Sequence, residues 1–112
     1  MLFRSERART EWLRAAGFEQ TDLAAQHQVV FVVRTIHVDY LMPARFNDTL
    51  DVSVELVRLG ASLIDLKQCA TRAGGGTQER LCEAGVRIAC VGLPGMKPVR
   101  IPAPVARTIR PV

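Results

Sequence analysis

The segment from Leu50 to Leu56 alternates apolar and polar residues without a break, and this alternation constrains the fold more than any other feature of the chain. The apolar positions share one side of an extended strand: Leu50, Val52, Val54 and Leu56. The polar positions share the other side: Asp51, Ser53 and Glu55. Such a strand exposes one face to water and buries the other, which is typical of antiparallel sheets. The chain therefore needs a second layer that covers the apolar face of a sheet.

Three further segments have the composition of strands. They are residues 29–41, 63–71 and 79–93, each rich in β-branched or other apolar side chains. Pro43, Gly60, the triple glycine at 74–76 and Pro94 lie between or after these segments, where they favour turns. Four strands joined by such turns predict an antiparallel meander, with each strand paired to the next along the chain.

A helix is predicted over residues 5–16, ahead of the strands. Ser5 can cap its beginning, and Gly17 can cap its end. One face carries apolar residues at helical spacing: Ala8, Trp12, Leu13 and Ala16. The polar segment that follows, around Thr21 and Asp22, predicts a plain connection. The apolar face can supply the second layer, so the sequence predicts a two-layer α+β domain in the order α-β-β-β-β.

The bulk properties predict one folded domain over residues 1–112. Its 48% hydrophobic and 23% charged residues argue against disorder. Residues 98–112 form a proline-rich tail that allows only a short helical turn near 105–108. No apolar stretch is long enough for an integral membrane segment, and charged residues occupy the place of a signal peptide's apolar run. We expect a cytoplasmic protein.

Charge and cysteine content narrow the classes of partner. The formal charge of +4 suits an anionic ligand, but the cations are scattered and lack interleaved aromatic residues, so no nucleic acid is expected as a partner. Cys69, Cys82 and Cys90 are odd in number and form no C-x-x-C pair. Neither a disulfide framework nor a metal site is predicted, and no cofactor is required.

The titratable residues do not form a recognisable catalytic motif. Glu6 is read as an exposed or dimer-facing helix acid, although it is the nearest candidate for a base. His27, in the polar connection, and His37, in a strand, have no obvious carboxylate to orient them. Three further carboxylates suit solvent exposure on strand faces or turns: Asp39, Asp48 and Asp65. No Ser or Cys lies in a nucleophile-elbow context.

Three strings in a fixed order carry a family resemblance: SERARTEWLRAAGF, FVVRTIHVDYLMPARFNDTL and MKPVRIP. They resemble the Tol-Pal-associated acyl-CoA thioesterases of the 4-hydroxybenzoyl-CoA thioesterase superfamily over nearly the whole chain. The resemblance implies a hot-dog fold, β-α-β-β-β-β, in which the sheet wraps the long helix and subunits pair as a homodimer or homotetramer. It implies a bacterial protein that hydrolyses a fatty or short-chain acyl-CoA to the free acid and CoA. The predicted α-β-β-β-β order is that fold without its first strand.

The resemblance also implies that the catalytic aspartate lies in a D-x-D-x-x-G loop ahead of ERARTEW, where this sequence has only residues 1–5. No catalytic residue is therefore assigned. We expect an N-terminally truncated domain that lacks the first strand and the catalytic loop and is inactive or nearly so. The alternative is a non-catalytic hot-dog module that binds acyl-CoA or a partner protein.

Binding residues are also implied by the resemblance. It places the strand around FVVR along the path of the acyl chain and pantetheine, which makes Val32, Val33 and Arg34 candidates. It aligns the bend at 58–62 with a region that contacts the CoA nucleotide in a superfamily member. The candidates for that contact are Arg58, Ser62 and the nearby Lys97, because cations suit phosphates. A plain surface role is the alternative for each of them.

Overall fold

The computed structural model describes residues 2–43, 49–72 and 79–110. Its elements, in chain order, are α1 Leu2–Ala15, α2 Gln20–His27, β1 Val29–Tyr40, β2 Leu50–Leu59, β3 Leu63–Arg72, β4 Glu79–Gly92, β5 Lys97–Pro98 and α3 Ala103–Ile109. The four long strands coincide with the predicted ones to within a few residues. The predicted glycine loop at 74–76 and the candidate acid Asp48 lie outside the described residues.

The sheet has the strand order β1-β4-β3-β2, with every neighbouring pair antiparallel and β5 paired to β4. The predicted meander is right for β2, β3 and β4 but wrong for β1. That strand pairs with β4, from Val29 opposite Gly92 to Tyr40 opposite Cys82. Most positions of β4 are buried, so the strand requires a long neighbour at both edges, and β1 supplies the second one.

Alternation of side chains gives the sheet two distinct faces. One carries cross-strand apolar pairs such as Ile64 opposite Ile88 and Leu66 opposite Val86, and we call it the inner face. The other, called the outer face, carries charged pairs such as Asp65 opposite Arg87. The alternation in β2 is confirmed, because its apolar positions are half-buried while Asp51, Ser53 and Glu55 are exposed.

Helix α1 lies over the inner face, as its apolar positions predict. Leu13 is part of the core, and Trp12 and Ala16 pack against it. Gly17 ends the helix in a left-handed conformation with φ +96, and its N–H donates to the Arg14 carbonyl at 2.8 Å. The helix begins at Leu2 rather than at Ser5, so the prediction that Ser5 caps it is wrong.

The segment read as a polar connection is helical over Gln20–His27, so that prediction is also wrong. Leu23 is only 2% exposed and belongs to the core. Gln28 ends the helix in a left-handed conformation, with its N–H donating to the Leu23 carbonyl. The composition of this segment does not by itself predict a helix. Burial of Leu23 stabilises the two helical turns, because tertiary packing supplies most of the stability of short helices.

The tail after β4 packs on the rest of the protein. Ile101 is buried, and α3 contributes Val105 and Ile109 to the core. The predicted turn is thus a helix of seven residues, Ala103–Ile109, with Pro104 in its first turn. No helix in the described part of the chain is long and apolar enough to cross a membrane.

Candidate functional site

A cavity of roughly 720 Å3 lies between α1, the start of α2 and the inner face of the sheet. Much of its lining is apolar, from Trp12, Leu13, Phe18, Phe31, Val32, Val33, Ile36, Ile64, Leu66 and Ile88. The polar lining comes from Glu6, Arg9, Thr10, Arg14, Glu19, Gln20 and Thr21. An apolar cavity of this size with a few polar groups is the usual form of a small-molecule site.

A β-bulge in β1 decides which side chains of that strand face the cavity. The pairing with β4 shifts between Val33 and Thr35, so Arg34 is an extra residue without a partner of its own. As a result Val33, opposite Ile88, and Ile36, opposite Val86, both lie on the inner face. Both line the cavity, with 46% and 39% of their surfaces exposed.

The six predicted binding residues fall into two separate places. Val32 and Val33 line the cavity, whereas Arg34 is exposed at the bulge and does not. Arg58, Ser62 and Lys97 also lie outside the cavity lining. Their roles as binding residues stay predictions.

The bend that contains Ser62 lies beside the chain that follows Lys97. The carbonyl of Ser62 accepts a hydrogen bond from the Cys90 N–H at 2.9 Å, and that of Ala61 accepts one from the Ile101 N–H at 2.8 Å. Arg58 lies on the outer face of β2, opposite Asp65. The three candidates for nucleotide contact therefore lie on the side of β4 away from β1, at the same end of the sheet as Val32 and Val33.

Gln68 forms a buried polar link between β3 and α1. It is 2% exposed, and its Oε1 accepts a hydrogen bond from Arg9 Nη1 at 2.8 Å. Its Nε2 donates to the Ser5 carbonyl at 3.0 Å. Sequence reasoning missed this link, although Gln68 is a polar residue at an inner-face position of β3, in line with Ile64 and Leu66.

The junction between α1 and α2 is held by side-chain contacts. Gln20 donates to the Phe31 carbonyl at 2.9 Å and accepts from the Phe31 N–H at 3.0 Å, so its amide pairs with β1 as a neighbouring strand would. Arg14 binds Glu11 at 2.9 Å and Glu19 at 3.2 Å. The cations and carboxylates at this end of the cavity are thus paired with each other.

The remaining titratable candidates are away from the cavity. His37 Nε2 lies 3.6 Å from Asp39 Oδ1, both exposed on the outer face, so the prediction that His37 lacks a carboxylate neighbour is wrong. Asp65 accepts two hydrogen bonds from Arg87, at 2.8 and 3.2 Å, which hold the pKa of that carboxyl below its ordinary value. His27 is exposed at the end of α2.

Cysteines and metal ligands add nothing to the cavity. Cys82 and Cys90 are buried and Cys69 is half-buried, all as free thiols. Burial raises the pKa of the Cys90 thiol. Among residues 2–43, 49–72 and 79–110, no three His, Cys, Asp or Glu side chains gather in a way that could hold a metal ion.

Residues 5–79 match the family described as the thioesterase superfamily. The chain belongs to this superfamily. The acyl-CoA thioesterase YbgC of Haemophilus influenzae is 39% identical over 97 residues, which cover 87% of this chain and 68% of that protein. The family is therefore one of acyl-CoA thioester hydrolases, as the three sequence strings predicted.

Solved structures of thioesterases share the architecture. A probable thioesterase from Bartonella henselae superimposes with a TM-score of 0.76 at 31% identity, covering 90% of this chain and 80% of that one. The 1,4-dihydroxy-2-naphthoyl-CoA thioesterase Slr0204 from Synechocystis superimposes with a TM-score of 0.78 at 18% identity, covering 96% and 77%. The second likeness concerns the fold alone. The predicted α+β hot-dog fold is confirmed.

Proposed function

We propose that this chain binds a fatty or short-chain acyl-CoA, with the acyl group in the cavity beneath α1, as part of a thioesterase that releases the free acid and CoA. The single observation that carries the proposal is the apolar cavity in a chain of the thioesterase superfamily. An alkyl chain gains free energy by leaving water for such a lining, about 0.8 kcal/mol for each buried CH2 group.

The chemistry needs a base or nucleophile near the acyl carbon and a donor for the developing oxyanion. Among the described lining residues the carboxylates are Glu6 and Glu19, and no aspartate is present. Glu19 is engaged by Arg14, which leaves Glu6 as the available carboxylate. We therefore expect slow hydrolysis by these 112 residues alone, with the thioester C–S bond broken by water and the thiol leaving as CoA.

Pairing of two copies along β1 belongs to the same proposal. In the described residues β1 pairs with β4 at one edge only, and Tyr40, on its inner face, is 69% exposed together with the apolar Val33 and Ile36. An open strand edge with apolar side chains favours pairing with another strand. A homodimer or homotetramer would cover this edge and close the open side of the cavity.

The finer parts of the family resemblance enter the proposal as well. Val32 and Val33 would contact the acyl chain and pantetheine, with Arg34 beside them, while Arg58, Ser62 and Lys97 would contact the phosphates of the nucleotide. A cytoplasmic location suits a CoA thioester as substrate. Association with the Tol-Pal system is tested by co-purification with its components from cell membranes.

A second candidate function is a non-catalytic module that binds acyl-CoA. The lining without an aspartate in the described part of the chain favours it. Both candidates require binding of acyl-CoA, but only the enzyme releases CoA. Measuring turnover beside binding therefore separates them.

The test measures affinity for butyryl-CoA and palmitoyl-CoA by calorimetry and release of CoA with a thiol reagent. Ile36→Trp, which fills the cavity, should abolish binding, whereas His37→Trp on the outer face of the same strand should not. Light scattering checks that both variants keep the same oligomeric state. Binding without CoA release favours the module, and failure of the unmodified chain to bind either ester overturns the proposed function.

A further inference from the structure

Arg9 places a guanidinium group in the lining of a largely apolar cavity. The residue is half-buried on α1, and its hydrogen bond to Gln68 at 2.8 Å links it to β3, 59 residues away. Burial lowers the pKa of this guanidinium, while the nearby Glu6 carboxylate opposes the effect. Arginine nevertheless stays protonated in proteins at neutral pH, so the cavity contains a fixed positive charge.

No described carboxylate lies within ion-pair distance of this charge. Glu6 also lines the cavity, but no ion pair within 4.0 Å joins the two side chains, and the hydrogen-bond partner of Arg9 is the neutral amide of Gln68. Arg14, on the same helix, differs because it is bound by Glu11 and Glu19. Glu6 therefore compensates this half-buried charge only from a distance, and an anionic ligand in direct contact with the guanidinium recovers more of the cost of burying it.

Gln68 determines where the guanidinium lies. Its amide uses both of its ends, because the oxygen accepts from Arg9 and the nitrogen donates to the Ser5 carbonyl at 3.0 Å. Reversing the amide would oppose donor to donor and acceptor to acceptor. The side chain is 2% exposed and cannot move aside without losing both bonds. Gln68 is therefore a positioning residue for Arg9.

We propose that Arg9, oriented by Gln68, is a specificity-determining residue, and that the preferred acyl group carries a carboxylate that pairs with the guanidinium. The inference rests on the proposed function and refines its substrate class. A guanidinium has five N–H donors in a planar fork, and the bond to Gln68 leaves donors free for a carboxylate. The apolar remainder of the lining contacts the methylene groups of the same acyl chain.

The test compares glutaryl-CoA with valeryl-CoA, which have the same number of carbons and differ in the terminal carboxylate. Affinities are measured by calorimetry, with free CoA as reference, and the ratio of kcat/KM replaces the ratio of Kd if the esters are hydrolysed. We expect the unmodified chain to prefer glutaryl-CoA by about tenfold, the size typical of a hydrogen bond to a charged group. Arg9→Met should remove this preference with little change for valeryl-CoA.

Three further variants distinguish recognition from a structural role. Arg9→Lys should retain part of the preference. Gln68→Glu keeps an acceptor for Arg9 and supplies a counter-ion, although it loses the donor to the Ser5 carbonyl. It should therefore abolish the preference while valeryl-CoA still binds. Arg7→Met, an exposed arginine of α1 outside the cavity lining, is the control and should leave the preference unchanged.

Several outcomes would overturn the inference while leaving the proposed function in place. Equal affinity of the unmodified chain for the two esters is one. Another is an equal loss of affinity for both esters and for free CoA in Arg9→Met, because this would mean that Arg9 contacts the CoA portion of the ligand. If the unmodified chain binds neither of these esters but binds palmitoyl-CoA, the inference alone fails. If it binds none of the tested acyl-CoA esters, the proposed function itself fails. Should Arg9→Met not fold, Arg9→Lys and Gln68→Glu decide the question.

Discussion

Two arginines on opposite sides of this sheet meet different surroundings. Arg87, on the outer face, donates two hydrogen bonds to Asp65, and that contact raises the pKa of its guanidinium. Arg9, above the inner face, bonds to a neutral amide, and burial lowers the pKa of its guanidinium. Arg87 has its counter-ion within the protein, whereas Arg9 is bonded to a neutral amide and can pair with a carboxylate supplied by a ligand.

The largest effect should come from truncating an apolar side chain of the inner face. Leu66 is 2% exposed and borders the cavity. Leu66→Ala should reduce the free energy of unfolding by about 2 to 5 kcal/mol, because it removes buried methyl groups and leaves space behind. Urea unfolding measures the change.

The matched control for that truncation is the next residue of the same strand. Lys67 lies on the outer face, so Lys67→Ala should change the free energy of unfolding by no more than about 0.5 kcal/mol. Equal losses of unfolding free energy in Leu66→Ala and Lys67→Ala would show that the inner and outer faces do not differ in what their side chains contribute to stability.

An intermediate effect is expected at the contact between α2 and β1. Gln20→Ala removes two hydrogen bonds to the Phe31 backbone, at 2.9 and 3.0 Å. Each is worth about 0.5 to 1.5 kcal/mol, and the exposed position places the loss toward the low end. Thermal unfolding measures it, and Gln26→Ala, exposed on α2, is the control. An unchanged melting temperature in Gln20→Ala would mean that these bonds do not hold the junction.

The smallest effect concerns pH and the outer face. The pKa of Asp65 is lowered in the folded protein, first by its hydrogen bond from Arg87. Its contribution to stability is therefore present above the pKa of the unfolded state, about 3.9, and is lost as pH falls through the lower pKa of the folded state. Solvent screens this exposed pair, so the contribution is small.

The matching variant is Asp65→Asn. The difference in melting temperature between it and the unmodified chain should shrink as pH falls below about 4, and added salt should reduce it at neutral pH. Asp51→Asn, exposed on β2, serves as the control. A difference that grows on acidification would contradict the assignment of the stabilising charge to Asp65.

Local patterns in the sequence predicted the features that depend on neighbouring residues. The alternation in β2 gave the two faces of the strand, and Gly17 marked the end of α1 because a left-handed residue follows many helices. The fold class followed from these patterns and from the family strings.

What could not be predicted depends on residues far apart in the chain. The pairing of β1 with β4 depends on the whole sheet, and α2 forms because the core accepts Leu23. The link between Arg9 and Gln68 spans 59 positions, and only the folded chain brings the two side chains together. Within the sequence, the one local indication of this link was Gln68 itself, a polar residue at an inner-face position of β3.

The bulge at Arg34 has a consequence for how this strand tolerates insertions and deletions. The bulge determines which residues in the second half of β1 lie on each face of the sheet. Ile36 and Val38 face inward, whereas His37 and Asp39 face outward. One further residue inserted beside Arg34 would exchange these two sets if the pairing upstream were kept. The polar side chains of His37 and Asp39, now exposed, would then enter the apolar cavity. A single codon at this point therefore has more influence on the chemistry of the cavity than most substitutions within it.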